Sequence, residues 1–129
     1  MPFKAKFELD GKTFNVQNSS FSLHQNVDAT GRPSSDVRGG IVSVSVESTE
    51  DNTLFEWMTD AHAFKDGKIT FFKRDQDSKM KELEFKSAAC IDYSEHFDAI
   101  SNSPMLTTIT FSAKEITLAG GTHTNPWPV

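Results

Sequence analysis

The sequence contains few of the residues on which chemical sites are most often built. Cys90 is its single cysteine among 129 residues, which excludes an intrachain disulfide and a CxxC metal or redox site. We interpret Cys90 as a structural thiol on a strand. No apolar run is long enough to cross a membrane, and Met1–Phe7 lacks the continuous apolar stretch of a secretory signal. We therefore expect that the protein does not insert into a membrane and that, if it leaves the cell, it does so without a signal peptide.

Positive charge is scarce as well. Thirteen Lys and Arg residues stand against eighteen Asp and Glu residues, giving a net charge of −5 and no basic stripe. Because phosphate binding needs such a stripe, nucleic acid is not expected as a partner. Two domains of this total length would each bury too little apolar surface, so residues 1–129 are predicted to form one domain. Eleven Phe residues can supply its core.

Motifs for catalysis and cofactor binding are missing. The sequence has no GxSxG, P-loop or GxGxxG motif. Its histidines are too far apart for a local set of metal ligands; they are His24, His62, His96 and His123. One acidic group lacks the spacing and central glycine of an EF-hand; it comprises Asp75, Asp77, Glu82 and Glu84. We predict no catalytic residue, no metal and no cofactor.

The first sixteen residues have the pattern of a β-hairpin. Apolar and charged residues alternate from Phe3 to Leu9, and the turn-forming pair Asp10-Gly11 follows. A two-residue turn there places Phe7 opposite Phe14, so the apolar faces of the two strands coincide.

The alternation changes phase within two predicted strands. It moves from even to odd positions between Val16 and Phe21, and it changes again between Ala113 and Ile116. A bulge or corner at such a point bends a strand into a curved wall. We therefore predict a mainly β fold, a small closed or nearly closed antiparallel β-barrel.

One flanking α-helix is predicted after residue 48. Ser48 and Asp51 have the spacing of a capping box, and Asp66-Gly67 is expected to end the region before the next strand. The apolar face of this helix comprises Leu54, Trp57, Met58 and Ala61.

A long strand is predicted after the charged loop Lys73–Lys79. Its predicted apolar face comprises Leu83, Phe85, Ala89, Ile91 and Tyr93, and its largely polar other face carries Glu84, Lys86 and Asp92. The last strand is expected from Met105 to Leu118, followed by an extended tail.

Two further features point to contacts with other molecules. The polar segment from Asp28 to Gly40 is a long loop, and loops of this length are usually functional. Trp57 and Trp127 are either core residues or interface anchors, and the sequence alone leaves both interpretations open.

An ordered series of segments along nearly the whole chain resembles the Hcp (TssD) family, the tube proteins of type VI secretion systems. The resemblance is to the branch found in Bacteroidetes. The segments are the hairpin at residues 3–16, DATGRPSS at 28–35, VESTED at 46–51, KMKELEF at 79–85, the stretch from Tyr93 to Asp98, Ser103-Pro104-Met105 and Trp127-Pro128.

The resemblance implies a small β-barrel with a flanking helix, related to phage tail-tube proteins. It implies a homohexameric ring that stacks into a hollow tube inside a contractile sheath, capped by a spike protein and carrying effector proteins. It also implies assembly in the cytoplasm, appearance outside the cell after firing, and no catalytic residue.

From this resemblance we expect a ring-stacking or subunit interface and a polar bore. The interface candidates are Arg32, Pro33, Ser34, Ser35, Asp36, Val37, Arg38 and Trp127, and the bore candidates are Glu84, Lys86 and Asp92. The alternative is a stand-alone, monomeric β-barrel or β-sandwich module that binds a small ligand.

Overall fold

A computed structural model describes residues 4–73, 79–100, 105–118, 121–125 and 127 of the chain. Within these ranges the chain forms seven strands and one short helix. The elements are β1 (Lys4–Leu9), β2 (Lys12–His24), β3 (Arg38–Glu47), α1 (Thr53–Thr59), β4 (Lys65–Phe72), β5 (Lys79–Phe97), β6 (Met105–Leu118) and β7 (Gly121–Thr124).

The strands form one antiparallel sheet that closes on itself. The order is β3-β2-β1-β4-β5-β6-β7, and a further pairing between β3 and β6 closes the first six strands into a barrel. β7 pairs with the last residues of β6, from Glu115 to Leu118. The predicted mainly β, closed antiparallel barrel with one helix is therefore confirmed.

The first hairpin has the predicted turn and register. Asp10 and Gly11 both have positive φ angles, 52° and 75°, as a type I′ turn requires. Phe7 pairs with Phe14, and both are buried. Both side chains therefore enter the barrel from neighbouring strands.

Both predicted phase changes are present. The register of β2 against β3 shifts between Val16 and Asn18. In β6, Ala113 and Ile116 are both buried although they differ in parity, because the strand changes its inward face across Lys114 and Glu115. These irregularities let long strands curve around the barrel.

The apolar pattern predicted for β5 is wrong from Ser87 to Ile91 and correct again at Tyr93, which packs against the core. Ser87 has a φ of 52°, and its amide donates to an oxygen of the Asp66 carboxylate at 2.8 Å. This left-handed residue shifts the inward face to Ala88, which is buried. A second register shift against β6, between Cys90 and Asp92, passes over Ile91, which is 50% exposed, and returns Tyr93 to a position opposite the buried Ile109. The strand β4 starts at Lys65, two residues before the predicted boundary at Gly67, so Asp66 lies within β4.

The predicted capping box is also wrong. The helix begins at Thr53 behind the N-cap Asn52, which makes no side-chain cap hydrogen bond. Ser48 instead bonds the hydroxyl of Thr107 at 2.6 Å. Asp51 accepts from the Thr53 amide at 2.7 Å and from the Thr53 hydroxyl. It therefore lies just before the N-cap residue, whereas the acidic residue of a capping box lies in the first turn of the helix.

Aromatic rings fill the centre of the barrel. Phe111 lies 4.4 Å from Phe85 and 5.9 Å from Phe7 between ring centroids. Trp57 is 1% exposed, packs on Phe111 at 5.5 Å and donates its indole N–H to the Ala63 carbonyl at 3.1 Å. Trp57 is therefore a core residue that closes the barrel under α1.

Candidate assembly surfaces

Residues 25–37 form an ordered extension of the β2–β3 hairpin, called here the arm. Val27 and Pro33 form a β-bridge across it. One Asp28 carboxylate oxygen accepts from the amides of Thr30 at 2.9 Å and Arg32 at 3.1 Å. The Thr30 hydroxyl bond and these amide bonds lower the pKa of Asp28. The arm is thus held by its own backbone and by one carboxylate.

The arm ends earlier than the predicted loop of residues 28–40. Arg38 and Gly39 already pair with His24 and Leu23 of β2, so β3 begins at Arg38. Gly39 and Gly40, which the sequence predicts as the end of that loop, lie within the strand. A Cβ on Gly40 would lie 2.5 Å from the Ala113 carbonyl oxygen, so close packing requires glycine there.

The predicted stacking residues share one exposed segment of the arm and the start of β3. Ser35 is partly buried, because its hydroxyl accepts from the Asn26 amide at 2.9 Å. The others are exposed: Arg32, Pro33, Ser34, Asp36, Val37 and Arg38. Residues 33–38, with Gln25 and Asn125, line an open groove of about 800 Å³. The structure therefore brings six of the seven candidates, residues 33–38, into one groove beside Asn125, and Arg32 directly precedes them in the chain.

Trp127 lies in a different setting. Its ring is tilted against Phe64 with centroids 6.4 Å apart, and its amide donates to the Asn125 carbonyl at 2.9 Å. Phe64 is exposed and Trp127 is half-buried. The pair forms an aromatic surface that neighbours the segment between α1 and β4.

The three predicted bore residues all point out of the barrel, but from two parts of β5. Glu84 pairs in register with Lys68 of β4, and Lys86 pairs with Glu115 of β6. Asp92 pairs with Thr110, beyond the point where β4 ends. All three predicted residues are exposed.

A hydroxyl-rich patch lies on the outside of the four strands β2, β3, β6 and β5, and the exposed Ile41 and Asp92 adjoin it. The Ser43 hydroxyl bonds that of Thr110 at 3.0 Å, and Ser45 bonds Thr108 at 2.8 Å. Ser20 and Ser94 extend these rows, since they pair with Ser43 and Thr108. We call these six residues the hydroxyl wall. Asp92 borders it through Thr110.

The hydroxyl wall ends in two unpaired strand edges. β1 pairs with β2 at residues 12–15, and in the described part of the chain residues 16–24 of β2 pair with β3 alone. On the other side β4 pairs with β5 up to Ala88, and among the described residues 89–97 pair with β6 alone. Such edges present free backbone donors and acceptors.

Large apolar side chains lie exposed along both edges. Leu23 is on the β2 edge, and Ile91 and Phe97 are on the β5 edge, with Phe97 66% exposed. Met105 pairs with Phe97 across the hairpin and is also exposed. Exposed apolar groups of this size beside free backbone groups indicate a protein interface.

The described residues offer little for chemistry. They contain no group of three or more His, Cys, Asp or Glu side chains able to hold a metal ion. Burial raises the pKa of the Cys90 thiol, the opposite of what a reactive thiolate needs. The candidates Asp75 and Asp77 lie outside the described residues. Within the described ranges no helix has the length and apolar character to cross a membrane.

Sequence reasoning missed the two free edges and the tail residue Asn125. The edges depend on where β1 and β4 stop pairing, which no local pattern reveals. The hydroxyl wall is partly visible in the sequence, since Ser43 and Ser45 alternate with the buried valines of β3. No sequence pattern indicates the role of Asn125, because its partners are backbone carbonyls of residues distant in the sequence.

Comparisons with known proteins agree with this architecture. A profile of the family described as Hemolysin coregulated protein Hcp (TssD) matches residues 1–128. The solved structure of Hcp1 from Flavobacterium johnsoniae is 42% identical, with a TM-score of 0.90, and the match covers 95% of this chain and 99% of that one. No curated protein matches the chain.

More distant structures share the fold. Hcp1 from Salmonella typhimurium is 13% identical with a TM-score of 0.75, over 96% of this chain and 93% of that one. A chain of the PVC sheath-tube complex, from an extracellular contractile injection system, is 17% identical with a TM-score of 0.56, over 89% and 87%. The barrel, its resemblance to Hcp1 and the family match lead to one conclusion: the chain belongs to the Hcp (TssD) family of contractile-injection tube proteins, which are structural proteins and not enzymes.

Proposed function

We propose that this chain is the inner-tube subunit of a type VI secretion system. Six copies form a ring, and rings stack into a hollow tube inside a contractile sheath, behind a spike protein. The tube assembles in the cytoplasm and carries effector proteins into a target cell when the sheath contracts. The observation that carries this proposal is the pair of free edges on opposite sides of the hydroxyl wall.

The two edges are suited to each other. β2 runs antiparallel to β3, β3 to β6, and β6 to β5, so β2 and β5 run in opposite directions. The β5 edge of one copy beside the β2 edge of the next therefore continues the antiparallel alternation. This contact joins two different surfaces, as a closed ring requires.

The experiment that tests ring formation measures the mass of the purified protein. Size-exclusion chromatography with light scattering should give the mass of a hexamer, and negative-stain images should show rings with a central hole. A monomer with a ligand-sized pocket would contradict the proposal and favour the alternative binding module.

The arm supports stacking of the rings. Residues 32–38, at the end of the arm and the start of β3, are exposed except for the partly buried Ser35, and they include both charged and apolar side chains. We expect a deletion of these residues, bridged by a short Gly-Ser turn, to leave rings intact and to abolish tubes. Tubes of normal length from the deletion variant would refute this assignment. Trp127 belongs to the same proposal as a contact to a neighbouring subunit.

The bore is proposed to lie along the outer face that carries Asp92, with Glu84 and Lys86 as further lining residues. A neutral hydroxyl surface offers a moving protein neither apolar contacts nor a strong field. Charge reversal by Asp92→Lys should preserve rings and alter cargo loading. The double variant Glu84→Lys, Lys86→Glu tests the other part of β5, and the same result is expected. Unchanged loading in all variants would contradict the lining assignment.

A further inference from the structure

The arm is joined to the barrel at a point where backbone pairing is interrupted. β3 pairs with β6 from Ile41 to Glu47, whereas from Glu115 onward β6 pairs with β7. Among the described residues, Arg38 and Gly39 therefore pair only with β2. A two-stranded ribbon is marginally stable by itself, so its angle to the barrel needs a further support.

Asn125 supplies contacts at this interruption. Its side-chain nitrogen Nδ2 donates to the carbonyls of Gly39 and Ala113, both at 3.0 Å. Its backbone N–H donates to the Lys114 carbonyl at 2.7 Å. One amide group thus connects the base of the arm to β6 across the gap between β3 and β7.

The surroundings match an amide in this orientation. The Oδ1 atom of Asn125 lies 3.0 Å from Nε2 of His123, which leaves Nδ2 to face the two carbonyls. Gly40 is buried with a φ of 92°, and a Cβ there would lie 2.7 Å from Nδ2. A residue without a side chain is therefore needed for Asn125 to reach both carbonyls.

We infer that Asn125 is a positioning residue that sets the angle of the arm, and that it thereby controls the stacking of rings but not their formation. The inference rests on the proposed function, since it concerns the same stacking surface. Asn125 also lines the groove beside residues 33–38, so a change in arm angle alters the surface offered to the next ring.

The test compares Asn125→Asp with the wild-type chain. Aspartate has nearly the same shape but no donor, and its charged oxygen would face two carbonyl oxygens. Thr122→Ala is the matched control, because it removes one tail hydrogen bond, to Thr117 at 3.1 Å, in β7, the strand that directly precedes Asn125. Hydrogen exchange of residues 25–39, light scattering and negative-stain imaging are measured for all three proteins.

Asn125→Asp should raise exchange at the base of the arm, at Arg38 and Gly39, by about tenfold or more, since Asn125 contacts Gly39 and these two residues otherwise pair only with β2 among the described residues. It should leave rings at their normal mass and reduce tubes strongly, while Thr122→Ala should behave as wild type. Normal tubes and exchange in Asn125→Asp, or loss of rings together with tubes, would overturn the inference. If wild-type protein formed no rings, the proposed function would fail, and the exchange comparison alone would decide whether Asn125 holds the arm.

Discussion

Asp51 connects the helix to the first hairpin through hydrogen bonds and charge. Its carboxylate accepts from the hydroxyl and the amide of Thr53 at the start of α1, and its other oxygen lies 3.0 Å from Nζ of Lys12 in β2. The Thr53 bonds, followed by Lys12, lower the pKa of Asp51 to about 2. The charged form is therefore favoured in the folded state.

This depressed pKa predicts how stability changes with pH at this residue. A carboxylate with a lowered folded pKa stabilises the fold above its unfolded pKa, and this contribution is lost as the pH falls through the folded value. Asp51→Asn keeps an acceptor for the Thr53 amide but carries no charge. We expect it to be less stable than wild type at pH 6, and we expect this difference, measured by urea unfolding, to shrink as the pH falls toward 2.

The loss should occur between the unfolded pKa of aspartate, about 4, and the folded value of about 2. The control is the same substitution in a Lys12→Met background, where the Thr53 bonds remain. There the pH dependence should be smaller but still present, because Thr53 contributes more than Lys12 to the shift. A difference between wild type and Asp51→Asn that stays constant from pH 6 to pH 2 would contradict this account.

At the scale of elements, the free edge of β5 predicts which substitutions prevent assembly. Phe97 is 66% exposed at the end of that edge, and burying an aromatic side chain contributes roughly 2 kcal/mol to a contact. We expect Phe97→Lys to leave the monomer folded and to replace hexamers by monomers in size-exclusion chromatography with light scattering.

Met80→Lys is the matched control for this prediction. Met80 is similarly apolar and exposed on the same strand, but it lies where β5 pairs with β4. Its replacement should leave the hexamer in place. Equal loss of hexamers in both variants, or hexamers in both, would show that the β5 edge is not the subunit contact.

Elements with strong local patterns were predictable from the sequence, whereas the surfaces between them were not. The hairpin register followed from Asp10-Gly11 and the facing Phe7 and Phe14, which are neighbours along the chain. The inward face of β5 was predicted wrongly from Ser87 to Ile91, because the left-handed Ser87 is held by donating its amide to the distant Asp66 carboxylate and because the register against β6 shifts again at Ile91. The arm residues were found by composition, but the strand edges depend on register between distant segments.

At the scale of the whole molecule, assembly through the two edges couples stability to concentration. A partner that binds only the folded state stabilises it by mass action, so a subunit in a ring unfolds at a higher temperature as protein concentration rises. A monomeric binding module has no such coupling. The Tm of this chain therefore separates the two functions without any knowledge of cargo or ligand.

We expect the Tm of wild-type protein to rise over a hundredfold increase in concentration. Mass action over that range increases the free energy of unfolding by at most about 2.7 kcal/mol per contact. Calorimetry or circular dichroism over that range makes the measurement. Phe97→Lys should remove the dependence, because its subunits remain separate, while Met80→Lys should retain it. A wild-type Tm that is independent of concentration would mean that the two free edges are not joined in solution, and the ring built from them would have to be abandoned.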